Sequence, residues 1–382
     1  MPPFSLVLQR LELERFRNHG QTHLEFAPGL NLFTGRNGQG KTNILEAIHY
    51  LAILRSFRAR QLRELVQWGA EGFRLAAMLS PVADGLPPLR LAAAFGKERA
   101  LAVNGAPIAR GSEFIHRFLC VAFIPEDIAL VRGPSADRRR FLDILVSQLD
   151  PTYLHHLHRF HVALKSRNSL LRSPHPGDRS SRQAWDRLLL ETGAEVICRR
   201  QQLLPRLEKQ LQLEAASFFR NDPAAPAMGL RYEPGTPRLA AATAADRGGE
   251  CPPALVLLRL EEALAANSGR DEREGMTTWG PQRDDLGLLL ANRPLEAYGS
   301  EGQCRAMALL LRLAAAKLLH GERKGLALLV DDVLGELDQT RRAAFWELLP
   351  ADAQIFFTCT EPPPEAARRA ARQFQVTAGT VA

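Results

Sequence analysis

Long unbroken apolar runs are missing from this sequence: none approaches the roughly 18 residues that a membrane span requires. The opening residues, MPPFSLVLQRLELERF, alternate like a strand and carry charge early. They lack the apolar core and small-residue cleavage site of a signal peptide, so a cytoplasmic protein is expected. Cysteine is scarce. The five, Cys120, Cys198, Cys251, Cys304 and Cys359, are scattered and form no CxxC pair. That argues against a disulfide framework or a zinc site and predicts reduced, mostly buried thiols. The ten histidines show no metal-ligand spacing, and His155, His156, His158 and His161 read as a solvated helix face. No internal repeat of roughly 20–50 residues is present, which excludes a solenoid.

What is present is a globular composition with surplus positive charge. The 382 residues are 46% hydrophobic and 24% charged, enough for two lobes. Net charge is +7, which favours a polyanionic partner. Residues 131–210 hold 15 Lys and Arg against 8 Asp and Glu, so this one segment carries the whole chain's excess. Within it, Arg138, Arg139 and Arg140 are consecutive on an expected helix, point in different directions, and read as a solvated face with internal ion pairs.

The order of patterns describes a split α/β domain. LVLQRLELERF reads as a strand, and LEFAPGLNLFTG brings a second, with Pro28-Gly29 turning between them. A helix follows from Lys41, then short strands at 73–79, 88–95 and 99–103, with Asn104-Gly105 as a hairpin turn. Helical patterning begins at Ser135, restarts after Asp150-Pro151, and resumes beyond the polar break RSPHPGDRSS. Residues 221–253, rich in Pro, Ala and Gly, read as an irregular connector, and LVLLRLEEALAAN as a helix. Strand character returns near MTTWGPQRDDLGLLL. A helix opens after Ser300, GLALLVDD is an apolar strand ended by two acids, a helix starts at Gln339, and QIFFTCT is a last strand. The expected division is 1–130, a mainly helical basic lobe at 131–275, and a return to the first domain at 276–382.

Three constellations carry chemistry. GRNGQGKT, residues 35–42, has the pattern Gly, four residues, Gly-Lys-Thr between a strand and a helix. Backbone amides of Gly35, Arg36, Asn37, Gly38, Gln39, Gly40 and Lys41 can cradle phosphates, with Asn43 beside them on the helix. Lys41 would reach the β- and γ-phosphates of ATP, and Thr42 would offer its hydroxyl to Mg²⁺. LALLVDD supplies an acid at a strand end. Asp331 fits a Mg²⁺-holding carboxylate and Asp332 can orient or deprotonate a water, although paired acids there can also cap a helix or face solvent. In GSEGQ, Ser300 and Gln303 form a capping box. Gly302 is not explained by capping, and the amides around it make a second helix N-terminus able to bind phosphate.

P-loop, Ser-x-Gly-Gln, then an acid-ended strand is the order of ABC-type ATPases, and GELD at 335–338, with Asp338, resembles their D-loop. Transporter ATPases place a much shorter insertion between the first two motifs, which here stand 259 positions apart from Lys41 to Ser300. SMC-like proteins fill the gap with heptads, absent here. LERFRNH with GRNGQGKTNILEAI, RSFR at 55–58, FIPEDIALVRGPSADRRRFLD at 123–143 and WGPQRDDL at 279–286 resemble the RecF family over nearly the whole chain.

This resemblance implies an SMC-like ABC-type ATPase head with a helical second lobe inserted between Walker A and the signature motif. It implies ATP and Mg²⁺ as ligands and an ATP-induced homodimer in which Ser300, Gly302 and Gln303 reach the partner's ATP. It further implies slow ATP hydrolysis, binding to double-stranded, single-stranded-containing and gapped DNA, and work with RecO and RecR in loading RecA. The sequence departs from the pattern at Gln282, where the family usually has His, and at Asp332, where many ABC ATPases have Glu. No γ-phosphate-sensing His follows the last strand, where Thr358 and Thr360 stand instead, and FIPED contains no Gln to serve as a Q-loop. Two other readings remain open at this level: the ATPase subunit of a membrane transporter, and a nucleotide-gated scaffold whose basic lobe binds an acidic protein.

Overall fold

The computed structural model describes residues 6–81, 87–173, 179–220, 227–236, 252–322, 325–335, 337–359 and 371–382. They group into two compact units, one within Met1–Asp127, Glu214–Pro223 and Leu309–Ala382, the other within Ile128–Leu213 and Ala224–Ala308.

The first unit holds two sheets. β1 (Leu6–Phe16), β2 (His19–Glu25), β4 (Phe73–Pro81), β5 (Leu89–Phe95), β6 (Arg99–Val103) and β7 (Ala106–Pro107) form an antiparallel sheet in the order β2-β1-β4-β5-β6-β7. The second sheet contains β3 (Leu30–Thr34), β8 (Leu119–Phe123), β12 (Leu326–Asp331), β13 (Gln354–Thr358), β14 (Arg372–Thr377) and β15 (Thr380–Val381). Its order is β15-β14-β3-β13-β12-β8, parallel from β14 through β8. A parallel sheet is covered on both faces, so its strands are apolar without alternation. LCVAF in β8 and LALLVD in β12 are buried at every position. α1 (Lys41–Ile53) follows β3 and buries every residue from Ile44 to Ile53. α2 (Ser112–Ile115) and α10 (Gln339–Leu348) complete the described helices lying wholly in this unit. The buried Gln354 joins the two sheets: its side chain accepts from Leu8 N and donates to the Leu8 and Ala27 carbonyls, each at 2.8 Å.

The second unit is mainly helical, with α3 (Ala129–Arg132), α4 (Ser135–Leu149), α5 (Tyr153–Arg172), most of α6 (Arg179–Phe218), α7 (Pro253–Glu274) and α8 (Leu295–Tyr298). α9 (Glu301–Glu322) begins in this unit and continues into the residues of the first. On α5, His155, His158 and His161 are exposed, as a solvated face requires. Cys120, Cys198, Cys304 and Cys359 are free and buried; Cys251 lies outside the described residues.

Three expectations change. The supposed irregular connector contains β9 (Met228–Glu233), which pairs with β10 (Asp285–Leu290), and β11 (Arg293–Pro294) completes a small antiparallel sheet. Residues 276–308, expected with the ATPase core, group with the helical unit, because β10 pairs with β9 and the acids before it are bound by arginines of α4 and α6. Finally, Arg138–Arg140 are not one solvated face. Arg138 is buried and makes a two-bond ion pair with Asp285 at 2.7 and 2.8 Å. Arg139 donates to Ser135 Oγ and the Asp284 carbonyl, and only Arg140 is well exposed, 4.0 Å from Asp137. Asp284 is itself buried and meets Arg200 at 3.1 Å, so these cations compensate inward-facing acids.

Candidate nucleotide-binding site

The loop between β3 and α1 is shaped by three glycines with positive φ: Gly35 at 144°, Gly38 at 79° and Gly40 at 114°. Space as well as conformation demands glycine at two of them. A Cβ on Gly35 would lie 2.4 Å from the Val376 carbonyl oxygen, and one on Gly40 would lie 2.7 Å from Asn18 Oδ1. Arg36, Asn37 and Gly38 are exposed along the crest of the loop. Lys41, the first residue of α1, turns back into the curl: Nζ donates to the Gly35 carbonyl at 2.6 Å and the Arg36 carbonyl at 3.1 Å. The ammonium is therefore held inside the loop by two carbonyls at the positive end of a helix, where a polyphosphate is favoured.

Asp331 closes β12, which is separated from β3 by β13. Its Oδ1 accepts from Thr42 Oγ1 at 2.8 Å and from Thr358 Oγ1 at 2.6 Å. Burial holds its carboxyl above the usual carboxylate range, opposed by those two hydroxyls, while nearby Glu126 pushes it up and Arg58 pulls it down. A hydroxyl and a carboxylate at this separation form a hard-oxygen pair that fits Mg²⁺. Asp332 is exposed, with φ 51°, and its backbone N donates to the Thr358 carbonyl at 3.3 Å. Thr358 is thus occupied beside Asp331; Thr360 lies outside the described residues.

The framework around the loop was not visible in any motif. Asn18 Nδ2 donates to the Gln39 carbonyl at 2.9 Å, and Asn18 Oδ1 accepts from Asn43 Nδ2 at 2.7 Å. His19, fully buried, meets the Gly40 carbonyl at 3.1 Å through Nε2, and burial lowers its pKa. From the turn between β14 and β15, Gly379 N donates to the Gln39 carbonyl at 2.9 Å and Ala378 N to Gln39 Oε1 at 2.6 Å. Behind α1, Arg17 makes two 2.8 Å bonds to the buried Glu46, which also accepts from Ser56. Asn18 and His19 lie in the stretch RFRNH, whose only sequence signal was a family resemblance.

The remaining predicted residues are distributed differently. Ser300, Gly302 and Gln303 belong to the second unit. The capping box forms as expected: Ser300 N donates to Gln303 Oε1 at 2.9 Å and Gln303 N to Ser300 Oγ at 3.3 Å, with Gly302 exposed in the first turn. Arg132 grips this motif, donating to the Gly299 carbonyl at 3.3 Å and pairing with Glu301 at 3.5 Å. Asp338, in the first unit, caps α10 by accepting from Arg341 N at 2.9 Å. Asp127, buried, accepts from Ile124 N at 3.0 Å and pairs with Arg312 of α9 at 2.7 Å. Gln282 donates to the Trp279 carbonyl at 2.5 Å, anchoring its own turn.

A family model described as an AAA domain matches residues 10–56, which span β1 to the loop after α1. The DNA replication and repair protein RecF of Symbiobacterium thermophilum is 35% identical over 380 residues, covering 98% of each chain. RecF of Thermosynechococcus vestitus is 34% identical over 386 aligned positions, 99% of this chain and 97% of its own. A solved structure described as the recombination mediator protein RecF with ATP in the RecFOR pathway matches with a TM-score of 0.84 at 28% identity, covering 99% of each chain. The Smc head bound to the C-winged helix domain of ScpA matches with a TM-score of 0.52 at 14% identity, over 98% of this chain and 96% of its own, which is a likeness of fold. The architecture is that α/β head.

Proposed function

The chain belongs to the RecF family of DNA replication and repair proteins, and from that premise we propose that it is an ATP-switched DNA clamp of recombinational repair. The observation that carries this reading is the convergence of Lys41, Thr42 and Asp331 at a glycine-shaped loop that opens a helix. Lys41 binds the β- and γ-phosphates, and the loop amides of residues 35–41 orient them. Thr42 and Asp331 would hold Mg²⁺, which would neutralise phosphate charge. Asp332 orients the attacking water and accepts its proton; as a shorter acid than Glu it suits slow hydrolysis that serves as a switch.

Ser300 and the amides around Gly302 and Gln303 complete the site from a second copy, with Asp338 at the dimer seam, so ATP joins two protomers head to tail. The closed dimer binds double-stranded and gapped DNA, and hydrolysis releases it. The work is cytoplasmic, alongside RecO and RecR, and its downstream effect is RecA loading. Among the described residues no helix is long and apolar enough to cross a membrane.

Equilibrium binding of labelled duplex across a salt series, with and without ATP, tests the reading. ATP is expected to raise duplex affinity and to drive dimer formation, with binding falling steeply as salt rises. DNA affinity and mass indifferent to ATP would mean that the nucleotide is no switch.

A further inference from the structure

Trp68 is 100% exposed, although the strip that leads to it is held by specific bonds. Gln67 N donates to the Arg15 carbonyl and Arg17 N to the Leu65 carbonyl, both at 2.8 Å, so residues 65–67 run beside the end of β1. A bridge between Phe16 and Val66 and the fully buried Leu65 fix that strip. The turn closes with Ala70 N donating to the Gln67 carbonyl at 3.0 Å. Arg15 and Arg17 hold φ values of 53° and 56°, an unfavourable conformation for residues with side chains. The chain is thus constrained to present an indole to water, where it forgoes the apolar burial that tryptophan ordinarily contributes.

The ten residues that lead to Leu65, RSFRARQLRE, include four exposed arginines, Arg55, Arg58, Arg60 and Arg63, and one acid. That acid, Glu64, is engaged locally: its carboxylate accepts from Gln61 N at 2.9 Å and Arg60 N at 3.3 Å. Among the described residues neither Arg60 nor Arg63 has an ion-pair partner. Ser56, bound to the buried Glu46, accepts from Arg58 N at 2.9 Å and Ala59 N at 2.6 Å, so this stretch too is held in place. Arg63 and Trp68 are five positions apart, a reach of at most roughly 18 Å, which is a few nucleotides of a single strand.

A protein-docking tryptophan ordinarily sits within an apolar patch. Here the exposed neighbours are Arg60, Gln61, Arg63, Glu64, Gly69 and Glu71, and no large apolar side chain joins them. A bare π-face flanked by unpaired guanidinium groups fits a nucleic-acid strand, whose bases stack and whose phosphates need cations. The geometry points to a DNA contact at residues 60–68: Trp68 stacks on an unpaired base while Arg60 and Arg63 neutralise phosphates of the same strand. This rests on the DNA-binding reading above and adds the place of contact and the class of DNA, one containing single-stranded bases.

The test uses the full chain with ATP and three labelled probes: blunt duplex, the same duplex with a gap, and an oligo-dT strand. Trp68 is the one fully exposed tryptophan among the described residues, so a fluorescence change on binding that is lost in Trp68→Ala reports on it. Gapped DNA and oligo-dT are expected to quench that fluorescence and blunt duplex to leave it nearly unchanged. Trp68→Ala abolishes the quench and weakens binding to the two probes with unpaired bases about tenfold or more, as loss of one base-aromatic stack does, while Trp68→Phe restores most of the affinity. Arg60→Ala with Arg63→Ala lowers the slope of log affinity against log salt by about 1.5 for the single strand. ATP affinity of each variant reports that the fold is intact. Wild-type affinity and quenching in both variants would overturn the assignment while leaving the clamp standing. Loss of ATP-induced dimers in Trp68→Ala, with DNA binding unchanged, would overturn it in favour of a protein interface. Absence of DNA binding by the unaltered chain would overturn both readings together.

Discussion

Thr42 and Asp331 stand 289 positions apart in sequence, and their side chains meet at 2.8 Å. The contact exists because α1 springs directly from β3 while β12 ends two strands away, with β13 and its Thr358 between them. Asp331→Asn keeps an oxygen for both hydroxyls and should fold, but it loses the charge that would hold Mg²⁺. Phosphate release is expected to fall about 100-fold, equivalent to roughly 3 kcal/mol of barrier. ATP binding without Mg²⁺ should be nearly unchanged. A variant that hydrolyses normally would remove Asp331 from the metal site.

Asn18 braces the loop from outside, tying the Gln39 carbonyl to the Asn43 side chain. Asn18→Ala removes both bonds and frees the crest to move. ATP affinity should weaken about tenfold, near 1.4 kcal/mol, which is in the range for one or two hydrogen bonds. Titration calorimetry on the full chain reads this directly, and an unchanged affinity would reduce Asn18 to a bystander.

His49 lies inside α1, buried, with its pKa lowered to about 4 by burial and opposed by a 2.8 Å bond to the Arg55 carbonyl. A base whose folded pKa is depressed binds fewer protons folded than unfolded between about pH 4 and 6.5. Stability is therefore present above pH 6.5 and is lost as pH falls through that window. Between pH 6.5 and 4.5 this group should account for about 2–3 kcal/mol of lost stability. Denaturant titrations at several pH values should show His49→Gln losing correspondingly less over the same interval; parallel curves would contradict the assignment.

Arg132 reaches the Ser300 motif through Gly299 and Glu301. Arg132→Ala should leave ATP binding by the monomer intact and weaken ATP-induced dimerisation about five- to tenfold, since a mispositioned helix start presents its amides poorly. Sedimentation across protein concentrations measures it. Equal dimerisation by variant and parent would make the grip incidental.

The nucleotide loop was legible because its residues are contiguous and their flanks, an apolar strand and a helix, are local patterns. Asp331 was legible as an acid ending a buried run. Asn18 and Gly379 were not, nor was the bond from Thr358 to Asp331, since each acts through partners in distant parts of the chain that only the sheet order brings near. Arg138 was misread for a related reason. Charge in sequence says nothing of burial, and its partner Asp285 lies 147 positions away. β9 hid within a segment rich in Pro, Ala and Gly, because six residues paired through backbone leave almost no periodic signal.

In the proposed head-to-tail dimer, Ser300 of one protomer completes the ATP site of another. Lys41→Ala should disable a chain's own loop, and Ser300→Arg should disable what it offers its partner, so each variant alone should hydrolyse ATP poorly. A mixed dimer contains one site built from an intact loop and an intact Ser300. Mixing the two inactive variants and measuring phosphate release tests this most directly. Recovery of a substantial fraction of parental hydrolysis, rising with protein concentration, is the predicted result. A mixture as inactive as its components, while the unmixed parent hydrolyses ATP, would contradict a site shared between chains.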